Sequence, residues 1–548
     1  MNLFVRKPIE TILKEGENDR GKGMRRVLGP WGLTAMGVGV IIGAGLFSVT
    51  GVVAGAHTGP AITLSFAIAA VACALAGLCY AEFASMLPIS GSAYAYSYMT
   101  MGELVAWIIG WDLVLEYAVA ALTVSISWSR YFCILLAQLG WPLPPELTAC
   151  PAEGGIVNLP AMIVVVLLSL VLVCGTKGSA RFNDFIVLLK IAVVVAFIWL
   201  GLRYVNMDNQ TPYIPANTGV FGEFGWSGVF RGAAIVFFAY IGFDAVSTAA
   251  QETKNPRRNM PIGILGSLAV CTVIYVLFSF VMTGVVHYSA YTDTAGQIAP
   301  AAIAVAHMGE MGPDNVIVPA YPILNYGIIV AILLGYSSVI LVMLMGQSRV
   351  FFSMSKDGLL PPLFSHLHAR FRTPARSNLL FMVVVCILAG IVPAQVAGEM
   401  TSIGTLFAFT LVCVGVIVVR RTMPNAPRSF RTPFVPYIPA LGVICCVGMM
   451  FFLPADTWIR LVIWMLIGLD VYSFYGISHS HIGGHSVRRH GQSFLSGLGV
   501  GVGFLCILTG LWHQQTAGWD ADRTLLWISV VFGVAHIGFY LTRFGHKK

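Results

Sequence analysis

The run GVGVIIGAGLFSVTG, residues 37–51, lies in the first long apolar segment of the chain and has Gly-Ala-Gly at its centre, residues 43–45. A second apolar segment, FFAYIGFDAVS at residues 237–247, has Gly242 closely followed by Asp244. An interrupted helix survives in a bilayer only where it lines a cavity or is buried in protein, because lipid cannot satisfy backbone groups. We therefore predict that both helices are broken at these points. Close packing of helices through small residues is the alternative interpretation of these glycines.

The composition of the chain indicates its broad class. Of 548 residues, 57% are hydrophobic and 10% are charged, and the mean hydropathy is +0.81. A water-exposed surface needs about 25% charged residues, so most of this chain cannot face water. These numbers exclude a soluble enzyme, a disordered protein and a secreted disulfide scaffold. The sequence predicts an all-α polytopic membrane protein.

Fourteen apolar runs approach or exceed the roughly 20 residues that a membrane-spanning helix needs. The predicted spans are residues 31–54, 60–87, 104–138, 158–175, 184–203, 228–250, 261–287, 322–346, 378–393, 402–419, 436–454, 458–477, 494–512 and 524–542. The two glycine-rich breaks fall in helices 1 and 6, which are five helices apart and run in opposite directions. Breaks at matching positions of two inverted halves point to the central site of a transporter.

The distribution of basic residues predicts the orientation of the helices. If the amino terminus is cytoplasmic, most of the 32 Lys and Arg residues fall on the cytoplasmic side. The long connections on the other side, residues 139–157 and 288–321, contain no Lys or Arg. This asymmetry predicts an integral protein of the plasma or inner membrane with both termini in the cytoplasm. It also explains the net charge of +8, so nucleic acid is not an expected partner.

The dipoles of the broken helices suggest what the central site binds. The second half of helix 1 would present free N–H groups, and its positive end suits a carboxylate. The first half of helix 6 would end in unpaired carbonyl groups, which suit an ammonium. A site with both features fits a zwitterionic α-amino acid. The predicted substrate-binding residues are Ile42, Gly43, Ala44, Gly45, Phe238, Ala239 and Ile241.

Several long strings resemble the amino acid–polyamine–organocation permeases, and in particular their cationic amino acid transporter branch. Besides the run at residues 37–51, these strings are Tyr80–Tyr98, Gly102–Ala120, Phe237–Ile264 and Gly346–Phe364. The resemblance implies a leucine-transporter-type fold with a five-plus-five inverted repeat, broken helices 1 and 6, and about four extra carboxyl-terminal helices. The implied divisions are a cytoplasmic tail at 1–29, a ten-helix transport core at 30–421, helices 11–12 at 422–478, a His-rich cytoplasmic loop at 479–493, and helices 13–14 with a short tail at 494–548.

Lys190 is a lone cation within an otherwise apolar helix, where insertion costs about 2.5–3.5 kcal/mol. Snorkelling to the interface is one interpretation. The family resemblance implies another, in which this lysine occupies the place where sodium-coupled relatives bind sodium. Its ammonium would then bridge the backbone of helix 1 and helix 8, where Ser337 and Ser338 match the family's hydroxyl pair. Because burial disfavours the charged form of a lysine, this residue is the predicted proton-coupling group.

Two acidic residues, Glu116 and Asp244, are candidate cavity carboxylates. Each would line the cavity, relay protons or contact a basic substrate side chain, and a structural carboxylate that ties helices together is the alternative for each. No catalytic residue, metal ligand or cofactor site is predicted, because the His-rich segment is interpreted as a solvated loop. No nucleotide-binding GxxxxGK[ST] run is present, so ATP is not expected to drive the protein directly.

The sequence thus predicts a secondary-active transporter that moves L-amino acids by proton symport, with the substrate, protons and the lipid bilayer as its partners. An amino acid exchanger and a non-transporting amino acid sensor on the same scaffold are the alternatives. A membrane-embedded enzyme is disfavoured, because only the His-rich segment offers a cluster of reactive groups. The side chain of the substrate and the oligomeric state are left open.

Overall fold

The computed structural model describes residues 2–8, 28–87, 92–174, 179–248, 253–292, 299–311, 317–368, 371, 373–482, 484–518 and 523–545. Within this part of the chain, each of the fourteen predicted helices has a counterpart. Helices 1 and 6 are each divided into two segments, labelled a and b.

In chain order the helices are α1a (Pro30–Ile41), α1b (Gly45–Val49, Thr50–Val53 and Ala54–Thr58), α2 (Ile62–Met86), α3 (Glu103–Gln138), α4 (Leu159–Cys174), α5 (Ser179–Gly201), α6a (Gly225–Val236 and Phe237–Tyr240), α6b (Ala245–Thr248), α7 (Pro256–Val285), α8 (Pro322–Lys356), α9 (Ala375–Ile391), α10 (Ala394–Thr422), α11 (Tyr437–Phe452), α12 (Ala455–Val471, Tyr472–Gly476 and Ile477–His479), α13 (Gly484–Ala517) and α14 (Thr524–Gly545). The connections contain the short helices Ser92–Thr100 and Pro300–Ala306. They also contain an antiparallel pair of strands, β1 (Gly309–Met311) and β2 (Ile317–Pro319).

Among the described residues, nine helical segments are long and apolar enough to cross a membrane, and four shorter apolar helices of 10–17 residues accompany them. The protein is therefore an all-α polytopic membrane protein. The most apolar part of α3 is 83% buried, whereas that of α14 is 22% buried. Since α3 packs against both α8 and α10, it lies at the centre of the helix assembly and α14 lies at the periphery.

Three helices extend beyond one end of their predicted spans by eight or more residues. Helix α8 continues ten residues past its predicted end, α10 begins eight residues early, and α13 begins ten residues early. Hydropathy marks only the portion of a helix that lies in hydrocarbon, whereas the backbone hydrogen bonds of a helix continue into the interface. The prediction of a loop at residues 479–493 is consequently wrong for the backbone of residues 484–493, which is helical.

The breaks in helices 1 and 6 are found where they were predicted. Helix α1a ends at Ile41, and the chain turns through residues 42–44 before α1b begins. Helix α6a ends at Tyr240, and Gly242 then takes a positive φ of 116°, which favours glycine. A Cβ at Gly242 would also lie 2.7 Å from Cγ1 of Val40, so this turn packs directly on α1a.

Residues 2–8, at the start of the predicted tail, pack against the rest of the protein. Lys7 forms an ion pair with Asp357 at 2.6 Å, and Tyr94 donates to the other oxygen of that carboxylate. The backbone of residues 5–7 also bonds to Tyr98 and Glu103. The segment 2–8 is therefore attached to the start of α3 and the end of α8, while residues 9–27 of the predicted tail lie outside the described residues.

A buried ion-pair cluster joins α2 to the connection between α10 and α11. Glu82, which is fully buried, accepts hydrogen bonds from Arg420 Nε at 2.7 Å and Nη2 at 3.0 Å. Arg428 lies 3.1 Å from the same carboxylate, and the Thr432 N–H donates to it at 2.8 Å. Because its oxygens are so fully engaged, this carboxylate holds the α10–α11 connection against the end of α2.

Candidate functional site

The break in α1 exposes backbone amides at the start of α1b. The first hydrogen bond of this segment is donated by Leu46 N–H to Gly43 O at 3.1 Å, and Phe47 N–H reaches the same oxygen at 3.3 Å. The amides of Gly43, Ala44 and Gly45 precede these bonds, as the first amides of any helix do. They form a positive end that suits an anionic group.

The two glycines of this break have different surroundings. A Cβ on Gly45 would lie 2.3 Å from Cα of Ala239, so α1b and α6a touch backbone to backbone. A Cβ on Gly43 would lie 3.4 Å from Val339 of α8, which is close to an ordinary contact. Gly45 is therefore required for the close packing of α1b on α6a. For this glycine, the alternative interpretation of helix packing through small residues holds, and it does not exclude a role in substrate binding.

The carbonyl groups at the end of α6a are mostly engaged, which corrects the expectation that they are unpaired. Phe238 O accepts from the N–H of Ile241 at 3.2 Å, and Ala239 O accepts from the hydroxyl of Tyr275 at 2.8 Å. Among the described contacts, Ile241 O has no such partner. A carbonyl oxygen has two lone pairs, however, so each of the three can still accept one further hydrogen bond.

Tyr275 of α7 links the two breaks, and sequence reasoning missed it. Its buried hydroxyl lies 2.8 Å from Ile41 O at the end of α1a and 2.8 Å from Ala239 O at the end of α6a. A hydroxyl has one hydrogen to donate, so the two carbonyl groups share a single donor. The position was overlooked because a tyrosine in an apolar helix is usually a core residue, and only the folded chain brings both breaks beside it.

Lys190 is buried and bonds to the backbone of α1, which is the helix 1 contact that its predicted coupling role requires. Its Nζ donates to Gly39 O at 2.6 Å and to Ile42 O at 2.9 Å. Gly39 lets α5 approach, because a Cβ there would lie 2.3 Å from Val187. The aliphatic part of the lysine packs on Gly335 of α8, whose Cβ would lie 3.0–3.1 Å from it. Snorkelling is therefore wrong in this conformation, since the ammonium is directed at the α1 break.

Ser337, one of the two serines of α8 that were predicted to meet Lys190, has other hydrogen-bond partners. Ser337 donates to Leu333 O within α8 at 2.9 Å and accepts from Trp128 Nε1 at 3.1 Å. Its hydroxyl is therefore directed at α3. Ser338 is buried. Lys190 contacts α8 through its aliphatic chain, which packs on Gly335.

The two candidate carboxylates lie close to each other on the α6b side of the site. Asp244 accepts a short hydrogen bond from Tyr117 of α3. Glu116 is fully buried, and neither of its oxygens has a hydrogen-bond partner among the described residues. Thr405 of α10 lies beside Glu116, but its hydroxyl donates to Thr401 O.

Asp112 was not predicted, yet it shares the surroundings of Glu116. It lies one turn earlier on α3, and its two buried oxygens also lack a hydrogen-bond partner in the described part of the chain. Gly404 of α10 faces it, with a Cβ position 3.3 Å from Asp112 Oδ1. The signal was available, since Asp112 and Glu116 have the i, i+4 spacing that places side chains on one helix face.

Taken together, the breaks provide amides of α1b for an anionic group and carbonyl oxygens of α6a for a cationic one. A lysine bonds to the α1 side of the site, and buried carboxyl groups lie on its α6b side. The described residues contain no group of three His, Cys, Asp or Glu side chains that would hold a metal ion. His479 and His481 are described, whereas the side chains of His485 and His490 lie outside the described residues.

Comparison with known proteins identifies the family of the chain. A family model described as amino acid permease matches residues 28–470, which ends before α13 and α14. A methylthioribose transporter of Bacillus subtilis (strain 168) is 42% identical over 481 residues, covering 87% of this chain and 99% of that protein. The branched-chain amino acid permease BcaP of the same organism is 42% identical over 486 residues, covering 88% and 99%.

A third relative is named as a cationic amino acid transporter. The vacuolar cationic amino acid transporter 4 of Arabidopsis thaliana is 30% identical, with 88% of this chain and 96% of that protein covered. All three of these relatives are named as transporters or permeases. The chain therefore belongs to the amino acid permease family of the amino acid–polyamine–organocation superfamily, near its cationic amino acid transporter branch.

Proposed function

We propose that this protein is a secondary-active transporter of L-amino acids in the plasma or inner membrane. In this proposal α1–α5 and α6–α10 are the inverted repeats, α11–α14 are additional helices, all fourteen helices cross the membrane, and both termini are cytoplasmic. The observation that supports it best is the direct contact between the α1 and α6 breaks, which Tyr275 links. Broken helices at matching positions of two halves are typical of a transporter's central site.

The substrate carboxylate would bind the amides of Gly43, Ala44 and Gly45, and the substrate ammonium would bind carbonyl oxygens of α6a. Because Gly45 touches Ala239, α1b must separate from α6a before a substrate can enter. A closely packed site that opens by movement of one half relative to the other is the behaviour expected of alternating access.

Lys190 would couple this movement to protons. As an ammonium it donates charge-assisted hydrogen bonds to Gly39 O and Ile42 O and holds α1a against α5 and α8. The neutral amine forms weaker hydrogen bonds, so loss of the proton would loosen α1a. Glu116 and Asp244 remain candidate cavity carboxylates, to which we add Asp112.

A second candidate substrate is methylthioribose. A relative that is 42% identical to this chain is named as a methylthioribose transporter. It has neither a carboxylate nor an ammonium, so the charge pattern of the two breaks favours an amino acid. An amino acid exchanger or a non-transporting sensor would use the same two breaks, and flux measurements separate both from a symporter.

Uptake into proteoliposomes tests the proposal. The purified protein would be reconstituted and supplied with labelled leucine, alanine or arginine, with and without an inward proton gradient. We expect saturable uptake of at least one amino acid, stimulated by the gradient and insensitive to sodium. Uptake only when the vesicles contain amino acid would identify an exchanger, and binding without flux a sensor. Uptake of methylthioribose without uptake of any amino acid would assign the second substrate class.

A further inference from the structure

An amphipathic groove lies at the amino end of α7. It is an open groove of about 740 Å³ between the first turns of α7 and the connection from α10 to α11. Arg257 and Arg258 lie at one end, Ile262 and Leu265 form the wall on α7, and Ser429 and Phe430 form the opposite wall.

The basic end of the groove has no acidic partner among the described residues. Arg257 and Arg258 are both exposed, and neither guanidinium has an ion pair or a hydrogen bond there. Lys254, three residues before Arg257 and just outside the helix, is exposed as well. The amino terminus of α7 begins at Pro256, so the positive end of a 30-residue helix adds to these charges. The groove therefore combines fixed positive charges with an unfilled volume.

The apolar wall lies deeper along the same helix. Ile262 is 43% exposed and Leu265 is half-buried. At about 1.5 Å per residue, these side chains lie roughly 6–12 Å beyond the arginines along the helix axis. Helix α7 is one of the segments apolar enough to cross a membrane. We therefore expect the arginines, at its amino end, to lie at the interface and the apolar wall to lie in the hydrocarbon.

The opposite wall is held in place before any ligand binds. The N–H of Phe430 donates to Ser85 Oγ at 3.2 Å, and two residues later the chain is bonded to the buried Glu82 carboxylate. The groove is therefore preformed, since its second wall depends on the ion-pair cluster of Arg420 and Arg428.

We propose that this groove binds an anionic phospholipid, with the phosphate at Arg257 and Arg258 and an acyl chain against Ile262 and Leu265. Basic pockets between membrane-spanning helices on the cytoplasmic side suit such headgroups. The basic end of the groove matches the headgroup of a phospholipid, and its apolar wall matches an acyl chain. A soluble anion would contact only the basic end. None of the residues that line the groove is among those assigned above to the substrate site or to proton coupling.

Native mass spectrometry of the full-length protein in detergent tests the proposal. Phosphatidylglycerol and phosphatidylcholine with identical acyl chains would be titrated separately, and bound lipid counted. We expect tighter binding of phosphatidylglycerol, and about thirtyfold weaker binding after the double change Arg257→Gln and Arg258→Gln, since each basic residue contributes about five- to sixfold. The matched control removes two exposed arginines elsewhere, Arg376→Gln and Arg421→Gln, and should leave this binding unchanged.

Two further measurements distinguish a lipid from a simple anion. Ile262→Asp should weaken phosphatidylglycerol binding while both arginines remain, and inorganic phosphate should not displace the lipid. The conservative double change Arg257→Lys and Arg258→Lys should retain preference for the anionic lipid. Equal binding of the two lipids by the wild type, equal losses in the control variant, or complete displacement by phosphate would each overturn the proposal.

Discussion

Gly45 of α1b lies directly against Ala239 of α6a, so closely that a methyl group on Gly45 would come within 2.3 Å of Ala239 Cα and 2.5 Å of its Cβ. The two breaks thus meet backbone to backbone. This contact determines how near the amides of one break lie to the carbonyl groups of the other. It also makes the glycine a sensitive test of the site.

Gly45→Ala should be damaging and Gly43→Ala should be tolerated. The added methyl at position 45 must displace Ala239, and overpacking of this kind costs about 1–3 kcal/mol. The methyl at position 43 would lie 3.4 Å from a side-chain methyl of Val339, which is an ordinary van der Waals contact. Thermal unfolding in detergent and amino acid uptake would be measured for both variants. Equal stability and equal uptake of the two would show that the contact with Ala239 is unimportant.

Lys190→Ala should retain amino acid binding but lose accumulation driven by a pH gradient. The substitution removes the donor to Gly39 O and Ile42 O, so protonation no longer changes how α1a is held. Uptake into proteoliposomes with and without the gradient would be compared with binding in detergent. Lys254→Ala, which alters an exposed lysine, is the control. Undiminished concentration of substrate by Lys190→Ala would place the coupling group elsewhere.

Tyr275→Phe should destabilise the protein more than Tyr240→Phe does. Without its hydroxyl, Ile41 O and Ala239 O lose their donor at the ends of two broken helices, and an unsatisfied buried acceptor costs about 1–3 kcal/mol. Tyr240 donates to Phe66 O at 3.1 Å, but that oxygen lies inside α2 and can keep its helical hydrogen bond. Unfolding temperatures of the two variants would be compared. Identical shifts would mean that Tyr275 has no special linking role.

Decarboxylated amines should compete poorly with amino acids for uptake. A decarboxylated amine lacks the carboxylate that the amides at the start of α1b would bind. Loss of one hydrogen bond to a charged group costs about 1.5–3 kcal/mol, which predicts at least tenfold weaker inhibition. The pairs to compare are arginine with agmatine and leucine with isopentylamine. If an amine inhibits as well as its amino acid, the carboxylate does not bind at α1b.

Glu82→Gln should unfold the protein more readily than Glu153→Gln does. Glu82 is fully buried between Arg420 and Arg428, and breaking a buried ion pair costs about 3–5 kcal/mol. Glu153 pairs with Arg130 near the surface at 2.8 Å, where such pairs contribute about 1 kcal/mol or less. Denaturation in detergent measures both. Similar stabilities would show that water reaches the Glu82 cluster.

Much of the architecture could be read from hydropathy alone. All fourteen predicted helices have counterparts, and the breaks at residues 42–44 and 241–244 are where the glycines indicated, because lipid restricts irregular backbone to a few places. Helix ends were less predictable, as α13 demonstrates. Helical hydrogen bonding continues past the hydrocarbon boundary that hydropathy detects.

The amino-acid sequence by itself determined the class of protein, the positions of the breaks and the unusual place of Lys190, because each is a local departure from an apolar pattern. Only the tertiary structure decided which groups meet. In the folded protein Lys190 donates to carbonyl groups of α1, Ser337 accepts from Trp128, and Tyr275 lies between both breaks. These contacts join residues far apart in the chain, and their partners are set by helix packing rather than by any local pattern.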